Sequence, residues 1–99
     1  MEITSTNNGK EYVVAIKGQV DTLTAPQLSD VLIPIYESAE KLTLDFKELT
    51  YISSAGLRIC INSYQILNSK GGRFVIINTN DAVKQIFKLT KLDEILDVS

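Results

Sequence analysis

Two stretches decide the reading of this chain: Leu42-Thr-Leu-Asp-Phe46 and, after Lys47-Glu-Leu49, Thr50-Tyr-Ile-Ser-Ser-Ala-Gly-Leu-Arg58. The first is a short apolar run of strand length, and the second leads into apolar residues at helical spacing, Leu57, Cys60, Ile61, Tyr64 and Leu67. The spacing predicts a helix from about Ser54 to Ser69, stopped by Lys70-Gly71-Gly72. Two adjacent hydroxyls, Ser53 and Ser54, therefore sit at the start of a helix. Backbone N–H groups lack intrahelical partners there, and an anion is stabilised by about 0.3 to 1 kcal/mol when exposed. The chain has no histidine and no glycine-rich phosphate loop. An exposed serine at this position reads as something acted upon rather than something that acts.

Working outward, Glu2 to Thr6 and Glu11 to Lys17 read as strands joined by the turn Asn7-Asn-Gly-Lys10, whose residues tolerate positive φ. They should form a hairpin. After Gly18-Gln-Val-Asp21 the pattern turns helical, with Thr22 and Thr24 as caps, Pro26 in the first turn, and Ala25, Leu28, Leu32, Ile35 and Ala39 on one face. Pro34 removes the bond to the carbonyl of Asp30, an interior loss of about 3 kcal/mol unless the helix kinks or breaks there, and a bend is expected near Ile33. Lys41 to Phe46 is the third strand, and Lys47 to Ile52 carries the chain to the serines. Arg73-Phe-Val-Ile-Ile-Asn78 is a continuous apolar run, as expected of a central or well-covered strand. Thr79-Asn-Asp81 caps a helix bearing Val83, Ile86, Phe87 and Thr90, and Leu92, Ile95 and Leu96 form a short closing element. The alternation gives an α/β fold: one mixed sheet of four to five strands with helices mainly on one face.

Composition narrows the function classes. Ninety-nine residues suit one domain, residues 1–99, burying roughly 60 to 70% of its unfolded surface. With 44% hydrophobic and 22% charged residues the chain is neither disordered nor membrane-inserted. No basic-then-apolar leader opens it, which predicts a cytoplasmic protein. The net charge is −2 and the ten Lys and Arg are scattered, against direct nucleic-acid binding. Cys60 lies in an apolar helical pattern, as a buried small hydrophobe. One cysteine, no histidine and no acidic cluster argue against a metal site or a cofactor.

The motif and the element order together resemble the STAS family, in particular its stand-alone bacterial anti-sigma-factor antagonists. The likeness spans nearly the whole chain: Gly18-Gln-Val-Asp21 after the hairpin, Leu44-Asp45 on the apolar strand, the serine turn, Gly71-Gly72, and Ala82-Val-Lys84 in the closing helix. The family pattern Asp-Ser-Ser/Thr-Gly-Leu aligns with Ser53-Ser54-Ala55-Gly56-Leu57 without a gap. Ser54 takes the phosphoacceptor place. Ser53 stands where the family usually has Asp, Ala55 where it often has a hydroxyl, and Arg58 where many members have glycine. The resemblance implies a non-enzymatic switch. The unphosphorylated protein sequesters a kinase-type anti-sigma factor, phosphorylation of Ser54 releases it, and a protein serine phosphatase restores it. The implied partner surface comprises Asp21, Thr22, Ser53, Ser54, Ala55, Gly56, Arg58 and Ile59.

Each of these residues also has a plainer reading. One serine can simply cap the helix, worth about 1 kcal/mol; both roles coexist if Ser53 caps while Ser54 faces solvent. Gly56 either sits near a helix start without consequence or leaves a bare patch where a partner backbone approaches, the reading we favour. Asp21 is a turn acid or a neighbour of the acceptor, and Arg58 a solvated side chain or a phosphate partner. Ile59 and Ile66 fall off the core face; an apolar stripe of this kind is usually additional core, and if exposed it would extend a partner surface centred on Ser54. A non-switching STAS accessory subunit of a lipid-transport or other membrane-associated complex is the alternative function. A serine hydrolase lacks its base and its glycine-flanked elbow. The oligomeric state is open.

Overall fold

In the computed structural model, which describes all of residues 1–99, the expected hairpin opens the chain. Strands β1 (Glu2–Asn8) and β2 (Glu11–Val20) pair antiparallel, and the turn between them uses Gly9 at φ 64°. Strand β2 then changes partner along its length. Its first half, Glu11 to Ala15, runs parallel to β3 (Lys41–Asp45), while Gly18 to Val20 run parallel to β4 (Leu49–Ile52). The change happens at Gly18, whose φ of 104° accompanies a register shift between Gly18 and Gln19. A side chain is strained at such a φ, and glycine is not. The bulge is held by Gly18 N–H donating to Glu48 O at 3.0 Å and by Thr50 Oγ1 donating to Gly18 O at 3.0 Å.

Beyond β3 lie β5 (Arg73–Ile77) and the two-residue β6 (Asp97–Val98), both parallel. The sheet order is β1-β2-β3-β5-β6, with β4 beside the far half of β2. The sheet thus has six strands rather than four or five. The connection read as Lys47–Ile52 contains β4, and the closing element contains β6.

Register explains why the helices cover one face. Val14, Leu44 and Ile76 are cross-strand neighbours, all fully buried in a single 22-residue apolar cluster with residues of the three helices. The opposite face carries Val13, Thr43 and Val75 in register. There Val13 is 39% exposed, and the buried Val75 lies outside the cluster.

Helix α1 (Ala25–Ser38) runs continuously through Pro34, so the proline does not break it. Ile33, Pro34 and Asp30 are all exposed, and the carbonyl freed by the proline faces water rather than core. Helix α2 (Ser54–Ser69) has the expected bounds but a rotated buried face: Gly56, Leu57, Cys60, Ser63 and Leu67, with Ile61 and Tyr64 only half-buried. Ser63 is tolerated at 0% exposure because its hydroxyl donates to Ile59 O at 2.8 Å and meets the Tyr36 phenol of α1 at 2.6 Å. Helix α3 (Asp81–Leu89) is capped by Asn80, whose Oδ1 accepts from Val83 N at 2.8 Å. The Asn80 amide also donates to Leu49 O at 2.9 Å, tying α3 to β4. The carboxyl ends of β2 and β4 and the N-termini of α1 and α2 meet at one end of the sheet, the end where open α/β sheets place their ligands.

Candidate functional site

At that end the serine pair is divided between the two sides of a boundary. Ser53 is the N-cap residue of α2 in extended conformation, φ −91° and ψ 178°. Its N–H donates to Val20 O at 2.8 Å, and its carbonyl accepts from Leu57 N at 2.9 Å. Its backbone welds β2 to the helix start. Its side chain does not cap: no hydrogen bond joins it to the first helical amides, and Ser53 Oγ is buried without a partner. Ser54, the first helical residue, is exposed, with no side-chain bond tying its hydroxyl down. The helix amides here have no side-chain acceptor, so an anion on Ser54 meets a dipole end that nothing in the protein neutralises.

Gly56 requires a correction. It is buried, and a Cβ built on it would lie 2.6 Å from Ile52 Cγ1 and 2.9 Å from Val20 Cγ1. The missing side chain lets α2 press onto β2 and β4; it leaves no bare patch for a partner backbone. Ile59 and Ile66 are additional core rather than an exposed stripe, both partly buried against the apolar cluster. Ala55 likewise packs on the core and is half-buried. Ala55, Arg58 and Ile59 line a shallow groove of about 350 Å³ with Ser29 of α1. Arg58 is exposed, takes part in none of the three ion pairs, and stands one helical turn after Ser54 on the same face.

Asp21 follows Val20 directly, so the Val20–Ser53 bond brings its loop beside the serines. The carboxylate is committed to a turn: Oδ1 accepts from Leu23 N at 2.9 Å and Thr24 N at 3.0 Å. Thr24 Oγ1 accepts from Asp21 N at 2.9 Å and lies 3.0 Å from Gln19 O and 3.1 Å from Asp21 Oδ1. Thr22 and Thr24 were expected to cap α1. Thr24 is the N-cap residue but makes no side-chain cap bond, because its hydroxyl is spent inside this turn, while Thr22 is exposed. The Thr24 amide bond, opposed in part by desolvation, holds the Asp21 carboxyl below its ordinary range. The loop beside the serines therefore carries a negative charge at neutral pH, held in a turn of its own.

No group of histidine, cysteine or acidic side chains is placed to hold a metal. Cys60 is fully buried, its thiol pushed up to about 12 by desolvation. No helix is long and apolar enough to cross a membrane.

A mixed α/β sheet covered on one face, with a serine at the head of the helix after its short fourth strand, defines a class of small regulatory binding domains. Residues 2–99 match the STAS domain, and the chain belongs to that family. An anti-sigma-B factor antagonist of Bacillus subtilis is 28% identical over 92 residues, covering 93% of this chain and 84% of that one. Among solved structures, the anti-sigma factor antagonist SpoIIAA in its unphosphorylated form superposes with a TM-score of 0.85 at 16% identity, covering 99% of this chain and 88% of that one. The Bacillus cell fate determinant SpoIIAA in its phosphorylated form gives 0.79 at 14% identity, covering 99% and 91%. The antagonists of this family are regulatory binding proteins rather than enzymes.

Proposed function

We propose that this chain is an anti-sigma-factor antagonist that binds a kinase-type anti-sigma factor through the surface around Ser54 and lets go when that serine is phosphorylated. The observation that carries the reading is the division of the serine pair: Ser54 is exposed at the helix start, while Ser53 Oγ is buried. Only one of the two hydroxyls is open to a kinase. The named relatives, anti-sigma-B factor antagonists, support the same role. Asp21, Thr22, Ala55, Arg58 and Ile59 complete the contact surface, with Ser53 and Gly56 shaping it from beneath. A protein serine phosphatase resets the switch, and the protein works in the cytoplasm with its partners.

The energetics are adequate. A phosphoserine adds about −1.5 to −2 charges, which the open end of α2 accommodates in the free protein. In a tight interface the same charge must be desolvated beside the fixed Asp21 carboxylate. Each 1.4 kcal/mol lost weakens binding about tenfold, so a penalty of a few kcal/mol dissociates a micromolar to nanomolar complex.

The test is intact mass after incubation with ATP and each purified kinase-type anti-sigma factor of the source organism. Wild type and Ser53→Ala are expected to gain one phosphate and Ser54→Ala none. Retention of the phosphate by Ser54→Ala moves the acceptor elsewhere. Stable binding with no phosphate on any variant overturns the switch and favours the accessory-subunit alternative.

A further inference from the structure

The turn beside Ser54 carries a side chain that the fold does not use. Leu23 is 85% exposed, the most exposed large hydrophobic residue in the chain. A single exposed leucine is ordinary on a protein surface. Leu23 differs from the others in its support and its place.

Its support is a locked turn. The fold takes only the backbone of Leu23, whose N–H donates to Asp21 Oδ1, while Asp21 and Thr24 bond each other and anchor to Gln19 O. Any side chain would satisfy that turn, and a polar one would be better hydrated. The turn fixes the backbone at Leu23, so little loop ordering remains to be lost on binding. Its place is the serine end of the sheet, because Val20 O accepts from Ser53 N and Leu23 lies three residues beyond Val20. Half-exposed Tyr51 pairs with Gln19 and flanks the same loop. Leu89, 73% exposed, lies outside this loop, as the last residue of α3.

We infer that Leu23 is the apolar anchor of the anti-sigma-factor interface, seated in an apolar pocket of the partner; the inference rests on the antagonist reading above. A second copy of this chain is the poorer occupant. In a two-fold contact centred on Leu23 the two Asp21 carboxylates would approach each other.

Calorimetric titration of wild type, Leu23→Ala, Leu23→Met and Leu89→Ala against the same purified anti-sigma factors tests this, with circular dichroism confirming that each variant is folded. Removing a buried leucine side chain predicts about 10- to 100-fold weaker binding for Leu23→Ala. Leu23→Met and Leu89→Ala should bind like wild type. Equal affinity of Leu23→Ala and wild type overturns the anchor and leaves the antagonist reading standing. An equal loss in Leu89→Ala also overturns the anchor. A wild type that binds no anti-sigma factor, or that instead self-associates through Leu23 in sedimentation, overturns both.

Discussion

Replacing Gly56 by alanine separates a packing glycine from a docking glycine. The added Cβ would lie 2.6 Å from Ile52 Cγ1 and 2.9 Å from Val20 Cγ1, well inside van der Waals contact. Neither neighbour swings aside easily: Ile52 is 2% and Val20 0% exposed, and both are β-branched with restricted χ1. Overpacking of this kind costs about 1 to 3 kcal/mol. Against it stands the gain from removing a helical glycine, about 0.5 to 1 kcal/mol. The balance is a net loss of about 1 kcal/mol, which for a domain of this size lowers Tm by about 4 to 8 °C. Thermal unfolding followed by circular dichroism, with a urea titration to check that the m-value is unchanged, reads this directly. An unchanged or higher Tm refutes the packing argument. Unchanged stability with weakened partner binding would restore the bare-patch role that the structure removes.

Ser53→Ala should leave stability unchanged or raise it, because it deletes a buried hydroxyl without a partner; a loss of about 1 kcal/mol, typical of a working cap, would refute this. For Cys60 the folded thiol is held up to about 12 against 9.0 when unfolded. Stability is thus full below pH 9 and falls as pH rises from there towards 12, while the native thiol should resist Ellman's reagent at neutral pH until the protein is denatured. Asn80→Ala removes both the cap on α3 and the bond to Leu49 O, an expected loss of about 1 to 2 kcal/mol by urea denaturation. Ser63→Ala should destabilise more than Tyr36→Phe. The first strands the Tyr36 phenol, at about 1 to 3 kcal/mol, whereas the second leaves Ser63 its bond to Ile59 O.

Much of this fold could be read from short-range pattern. The hairpin, the bounds of α2 at Ser54 and Ser69, and the Asn80 cap all depend on residues close in sequence, where turn chemistry and periodicity act. What escaped depends on distant partners. Strand β4 is four residues long with its ends buried and its middle exposed, and it exists because the Gly18 bulge turns the end of β2 towards it. Ser63 reads as a polar helix residue, and its burial follows only from a tyrosine 27 residues earlier on α1. Position 56 reads as permissive until the strand beneath the helix is in place. At the site, the serine pair was visible, but the inward turn of Ser53 and the display of Leu23 were not. A Thr-Leu-Thr after an aspartate reads as a helix start; the carboxylate-centred turn gave the leucine its exposure.

Under the proposed switch, this construction assigns the effect of phosphorylation to the interface rather than to the fold. The Ser54 hydroxyl is tied to nothing, so modification breaks no internal bond. The residues beneath it are fixed independently, by the Ser53 backbone bonds to Val20 and Leu57 and by the close packing at Gly56. A dianion added there finds unpaired helix amides and an unpaired Arg58 in the free protein, and so needs no rearrangement to be solvated. In a complex it would stand between the ionised Asp21 turn and the partner, where any groups that meet Asp21 must also accommodate the phosphate. Release therefore requires no conformational relay through the sheet. The same rigidity that holds the contact surface ready for the partner lets a local charge dismiss it.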